Sequence, residues 1–170
     1  ELGANEIELD QLGVAVTRLN ARLLLAALDD RSPATPIETH ERAREVFRQG
    51  DVPVMGGTVA GHTTDAVATA LAEYVDADLL VYATSVPGVF DADPERDDDA
   101  TMYETLTAAE LVDVVASIEM AAGSNAPVDL LAAKLLHRSG LHATVVDGSE
   151  PATVSAAVAG EHDGTDIRPA

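Results

Sequence analysis

A chain of 170 residues, 46% of them hydrophobic, suits a single domain with a real core, since about 70% of the unfolded surface can be buried at this size. Ten basic against thirty acidic residues leave a net charge of −20, which repels phosphate backbones and anionic lipid; no window holds the basic patch that nucleic-acid or membrane binding would need. The absence of Cys excludes disulfides, zinc–thiolate sites and cysteine nucleophiles, and no apolar run approaches the roughly 18 residues of a membrane span.

The chain opens Glu1-Leu2-Gly3, without Met, and reads like the tail of a helix already under way; the expectation is a fragment that has lost its beginning. Apolar residues at Leu9, Leu12, Val16, Leu19, Leu23 and Ala27 recur with the helical period and predict a long helix over 8–28, weakened at Gly13. A shorter helix is expected over 39–49, with Gly50 at its C-terminal cap. Val52-Pro53-Val54-Met55 reads as a short buried strand, and 63–74 as a helix with a Thr start. The run Leu79-Leu80-Val81-Tyr82-Ala83-Thr84 is continuously apolar, as a parallel strand buried on both faces should be. An acidic loop over 91–103 precedes helices over 108–121 and 128–139, a strand over 143–146, a helix after Pro151 and a last strand over 165–168. Strands alternating with helices of this length predict an α/β fold, a three-layer αβα sandwich with a mainly parallel sheet. The acidity, the single lysine (Lys134) and the 3% aromatic content fit a salt-adapted cytoplasm, where molar salt screens self-repulsion.

In open α/β sheets ligands bind beyond the carboxyl ends of the strands, and two such ends carry unusual residues. The first is Gly56-Gly57-Thr58-Val59-Ala60-Gly61-His62-Thr63-Thr64-Asp65, whose glycines let the backbone approach a ligand and whose Thr start offers hydroxyls and N–H groups to an anion. On spacing alone a plain turn with a Thr cap fits equally well, and the Lys of a P-loop is absent. The second is Thr84-Ser85-Val86-Pro87-Gly88-Val89-Phe90-Asp91-Ala92-Asp93-Pro94, in which Phe90 can stack on a base and Asp93 can accept from a hydroxyl or amine. Its plainer reading is a type II turn at Pro87-Gly88, with Phe90 closing the core. Asp10 is either a surface charge or a ligand group. His40, His137, His142 and His162 have no metal-ligand spacing, Asp97-Asp98-Asp99 reads as a solvated loop, and no metal site is assigned.

These stretches, taken in order, resemble the archaeal uridylate (UMP) kinases of the amino-acid kinase superfamily, and the acidity points to haloarchaeal members. The carriers are Glu8-Leu9-Asp10-Gln11-Leu12-Gly13, Thr17-Arg18-Leu19-Asn20-Ala21, Pro53 to Thr58, Gly61-His62-Thr63-Thr64-Asp65-Ala66, Ala77 to Val81, Gly88-Val89-Phe90, Ala92-Asp93-Pro94, Pro127 to Lys134 and Gly160 to Thr165. The resemblance covers essentially the whole chain. It implies transfer of the ATP γ-phosphoryl group to UMP with Mg²⁺, the three-layer fold, a ring-shaped homohexamer and a cytoplasmic location. By carry-over, UMP is expected at Asp10, Thr58, Val59, Ala60, Gly61, His62, Thr63 and Thr64, and ATP at Thr84, Phe90 and Asp93; no catalytic residue is assigned. The expected division is 1–65 for the remainder of the acceptor lobe and 66–170 for the ATP lobe, sharing one continuous sheet. The pattern departs at Pro87, where Asp is usual, at Phe90 in place of Tyr, and at Ala60 in place of Pro. It also lacks the opening strand and Gly-Gly-Ser loop of the family, a deficit of roughly sixty residues, about the size of a small domain, so this fragment is expected to be inactive alone. The alternatives are a family member acting on an acyl or isopentenyl phosphate, or a non-catalytic nucleotide-binding or storage subunit.

Overall fold

In the computed structural model the described residues are 3–28, 31–94, 96–120 and 126–170. The chain divides into two compact units, Glu1–Val75 and Asp76–Ala170. The division falls after the helix expected at 63–74, ten residues beyond the lobe boundary at 65.

The first unit is helical. Helix α1 (Glu6–Leu25) starts at Asn5, which closes a capping box with Glu8. It ends earlier than the expected residue 28, and Ala21 is its one buried residue. Helix α2 (His40–Arg48) is capped by Thr39 and buries Ala43 and Val46 against Ile37. Gly50 follows it with φ +87°, the left-handed conformation that closes helices cheaply only in glycine. Helix α3 (Thr64–Tyr74) is capped by the Thr63 hydroxyl, which accepts from the Ala66 N–H at 3.1 Å. The strand expected over 52–55 reduces to a single parallel bridge, Ile37 to Met55. Pro53 has no N–H to give a ladder, and the segment is held by separate bonds instead, the Ile37 N–H donating to the Val54 carbonyl and the Val52 N–H to the Arg31 carbonyl, each at 2.8 Å.

The second unit holds a four-stranded sheet of order β1-β3-β4-β2, with β1 Leu80–Thr84, β2 Thr105–Thr107, β3 Ala143–Asp147 and β4 Thr165–Arg168. β1 pairs parallel with β3 in the register Leu80 to Ala143, and β2 pairs parallel with β4; β3 and β4 run antiparallel. The sheet is therefore mixed: β2 and β4 both run against β1 and β3, and the reversal falls at the β3–β4 junction. Helices α4 (Ala108–Met120), α5 (Leu130–Ser139) and α6 (Pro151–Ala159) complete the unit. Thr107 opens α4 with a T-x-x-E box; its N–H and hydroxyl both donate to Glu110 and hold that carboxyl below its ordinary range.

Strand β3 is buried from Ala143 through Val146. Ala143 and Val145 pack into the core built from Leu111 and Val115 of α4 and Leu136 of α5. Thr144 and Val146 alternate to the opposite face, beside Ala156 and Ala157 of α6. Helices thus cover both faces and give the αβα layering that the sequence predicts. Within this frame β1 ends at Thr84, beside the loop that runs on to Phe90.

Candidate functional site

In the first unit the segment 56–64 folds against one face of α1. Asp10, Gly13, Val14 and Thr17 recur at the spacing of a single helical face and form one wall of a cleft of about 410 Å³. The other wall is Gly57, Val59, Ala60, Gly61, His62, Thr63 and Thr64. Every residue expected to hold the acceptor lines it except Thr58, whose carbonyl is instead bound by Arg18 Nη2 at 3.3 Å.

Asp10 Oδ2 accepts the Gly61 N–H at 2.9 Å, which places its carboxylate on the wall of the cleft. Gly61 lies at φ +84°, where a side chain would be strained, so the turn there requires glycine. Two further residues, given no role from sequence, fix the remainder of the turn. Thr17 Oγ1 accepts the Gly57 N–H at 2.7 Å, and Arg18 Nε donates to the Gly57 carbonyl at 3.1 Å while its Nη1 pairs with Glu38 at 3.1 Å. Gly56 sits so close to α1 that a Cβ would fall 2.7 Å from the Arg18 backbone nitrogen. Three side chains of α1 therefore bind the backbone of the turn at Gly57, Thr58 and Gly61. Their only sequence signal is the phase they share on the helix. The cleft ends at the first turn of α3, where helix geometry aims N–H groups and positive dipole at an anion. A carboxylate acceptor, hydroxyls at Thr63 and Thr64, His62 and this anion-favouring end suit a ligand that carries both hydroxyls and phosphate.

In the second unit a cavity of about 110 Å³ opens past the end of β1 between Ser85, Gly88, Phe90, Asp93, Pro94 and Pro127. Ligand pockets usually run to about 300–1,000 Å³, so this one has room for only part of a ligand of that size. Phe90 and Asp93 line it as expected; Asp93 pairs with Arg96 at 3.5 Å and is mostly buried. Thr84 does not line it. Its hydroxyl donates to the Val86 carbonyl at 2.9 Å and accepts the Val86 N–H at 3.2 Å, so it shapes the loop from behind. The type II turn at Pro87-Gly88 is not formed either, because Gly88 lacks the positive φ that such a turn requires. Gly88 is needed for space: a Cβ would fall 2.5 Å from Thr165 Oγ1 and 2.8 Å from the Met102 sulfur.

The remaining histidines divide. His40 Nε2 lies 3.2 Å from the Val67 carbonyl, a helix-to-helix contact. His142 and His162 both approach Asp166 Oδ1, at 3.6 and 3.4 Å. Among the described residues no group of three or more His, Cys, Asp or Glu could hold a metal ion, and no helix is long and apolar enough to cross a membrane.

The model of the amino acid kinase family matches residues 2–147. A uridylate kinase of Haloarcula marismortui is 66% identical over 99% of this chain and 75% of its own length, and one of Halobacterium salinarum is 64% identical over 99% and 70%. Among solved structures, the uridylate kinase of Archaeoglobus fulgidus superposes with a TM-score of 0.86 at 42% identity, covering 98% of this chain and 74% of that one.

Proposed function

Because the chain belongs to the amino acid kinase family, and within it to the uridylate kinases, we propose that it transfers the γ-phosphoryl group of ATP to UMP, giving UDP and ADP in pyrimidine nucleotide synthesis. UMP is assigned to the cleft of the first unit, the remainder of the acceptor lobe, and ATP to the cavity of the second. The observation that carries the assignment is the Asp10 carboxylate held against Gly61 inside the cleft formed by Val59 to Thr64. Asp10 accepts from the ribose hydroxyls, Thr63 and Thr64 donate toward the phosphate, and Gly57 and Gly61 let the backbone close on the nucleotide. On the ATP side Phe90 stacks on the base, Asp93 accepts at its edge, and Thr84 holds the loop in shape.

Phosphoryl transfer asks for positioning and neutralisation of charge more than for covalent chemistry. Mg²⁺, bound to the ATP phosphates, supplies that neutralisation. The described residues offer no dedicated cage for it, which is the usual situation for an ion that arrives with its nucleotide, so none is assigned to it.

The test is Thr64→Ala in the full-length enzyme. Losing a hydrogen bond to a charged group costs about 1.5–3 kcal/mol, so the UMP KM is expected to rise roughly ten- to a hundredfold while the ATP KM holds. An unchanged UMP KM would remove the turn from the site. Absence of UDP formation by the parent enzyme would leave the non-catalytic nucleotide-binding subunit as the better reading.

Cytoplasmic location and a homohexamer belong to the same proposal. The apolar stripe of α1 supports self-assembly: Leu9, Leu12, Val16, Leu19 and Leu23 follow the three-four spacing of a coiled-coil seam and stand 49–67% exposed. Packing this stripe against another copy would bury it. Leu12→Glu with Leu19→Glu is expected to lower the mass seen by light scattering while each unit stays folded; an unchanged mass would remove α1 from the interface.

A further inference from the structure

Strand β4 opens with Thr165, a fully buried residue. Its hydroxyl joins two segments far away in sequence. Oγ1 accepts the Val89 N–H at 2.9 Å and donates to the Tyr103 carbonyl at 2.6 Å. Val89 and Tyr103 are themselves joined, the Tyr103 N–H donating to the Val89 carbonyl at 2.9 Å. The three residues close a triangle at the base of the loop that leaves at Phe90 and returns at Met102, where those two residues form an antiparallel bridge. That loop carries Phe90, Ala92, Asp93 and Pro94 into the cavity of the second unit.

The triangle is tight on every side. Gly88, the residue before Val89, has no room for a Cβ because Thr165 Oγ1 and the Met102 sulfur already occupy the place. A β-branched Thr in a strand holds χ1 firmly, so the hydroxyl is fixed before any ligand arrives. The bond from the Val89 N–H is buried and the one to the Tyr103 carbonyl partly so, and removing the hydroxyl takes a partner from both groups, leaving a buried N–H unsatisfied. The backbone can restore them only by moving the base of the loop, which displaces Phe90.

We propose that Thr165 is a positioning residue for the nucleotide of the second unit: its hydroxyl sets the place of Val89, and through it the place of Phe90 against the ATP base. Thr165 touches no ligand itself. The proposal rests on the reading of the 85–94 cavity as the ATP side.

The experiment compares Thr165→Val and Thr165→Ser in the full-length enzyme, reading the KM for ATP and for UMP separately, with ATP binding followed by calorimetry in the absence of UMP. Thr165→Val keeps the shape and loses the hydroxyl; the ATP KM and dissociation constant are expected to rise about tenfold, equivalent to about 1.4 kcal/mol, with the UMP KM changed less than about twofold. Thr165→Ser keeps the hydroxyl and is expected to stay close to the parent. An ATP KM unaltered by Thr165→Val, an equal rise in both KM values, or a Ser variant as impaired as the Val variant would each overturn the proposal. Should Thr165→Val fail to fold, Thr165→Cys decides, because it replaces the hydroxyl by a weak donor and acceptor at the same place and is expected to produce the same selective loss of ATP affinity. Failure of the parent enzyme to bind ATP would instead overturn the reading of the cavity itself.

Discussion

Gly164→Ala is expected to lower the thermal midpoint by about 10 °C, the largest effect of any single methyl group in the second unit. Gly164 precedes Thr165 at the start of β4, and a Cβ there would land on the Val145 carbonyl oxygen, with the Val146 Cγ1 at 2.7 Å and the Pro87 carbonyl at 3.2 Å. The obstacle is contact and not torsion, because Gly164 is absent from the residues of positive φ. Relief would have to come from the backbone of β3, which is buried from Ala143 to Val146 and paired with β1 on one side and β4 on the other. Overpacking of this kind costs about 1–3 kcal/mol and more where nothing can yield. At roughly 2–4 °C per kcal/mol for a chain of this length, about 3 kcal/mol corresponds to a loss of about 6–12 °C. A melt within about 2 °C of the parent, followed by circular dichroism, would show that β3 and β4 can separate at this point and that the sheet is less rigid than its burial implies.

Much of the architecture is legible in the sequence, and the departures have physical causes. Helices α2 through α6 form within a residue or two of expectation, and glycines close α2, α5 and α6 at Gly50, Gly140 and Gly160. Helix α1 is different: its apolar period identifies the stripe but not what covers it. The structure packs the small and polar face, Asp10, Gly13, Val14 and Thr17, against the 56–61 turn and leaves the leucines outside. Strand β2 was not expected because Thr-Leu-Thr is too short to show alternation; it exists through its pairing with β4, some sixty positions on. Conversely the apolar 52–55 segment lacks a ladder because Pro53 removes a donor. The acceptor turn reads well because its residues are contiguous. Thr17, Arg18 and Thr165 stay hidden because each acts across 39 to 76 positions of chain. A lone Thr at a strand start carries no local sign that its hydroxyl holds another loop.

Folding is also expected to strengthen steeply with salt, the midpoint rising by about 10 °C or more between 0.1 and 2 M KCl, with most of the gain complete near 1 M. The cause is the net charge of −20 on 170 residues. At 0.1 M the Debye length is about 10 Å and carboxylates on neighbouring elements repel across it; at 1 M it is about 3 Å and the repulsion is gone. Ion pairs such as Arg18 with Glu38, Arg42 with Glu45 and Arg96 with Asp93 neutralise some of the acidic charge, but ten basic residues cannot balance thirty acidic ones. The similarity to the uridylate kinases of Haloarcula marismortui and Halobacterium salinarum is in keeping with this chemistry. Salt also strengthens apolar burial, but that effect keeps growing with concentration whereas screening saturates, so the shape of the curve separates the two. The charge itself can be tested in the exposed Asp97-Asp98-Asp99 loop. Asp98→Lys with Asp99→Lys changes the net charge by four, from −20 to −16, and is expected to raise the midpoint at 0.1 M while leaving it unchanged at 2 M. A parent midpoint that is flat or falls with KCl, or a double variant that gains equally at both concentrations, would mean that the acidity is not what makes this fold depend on salt.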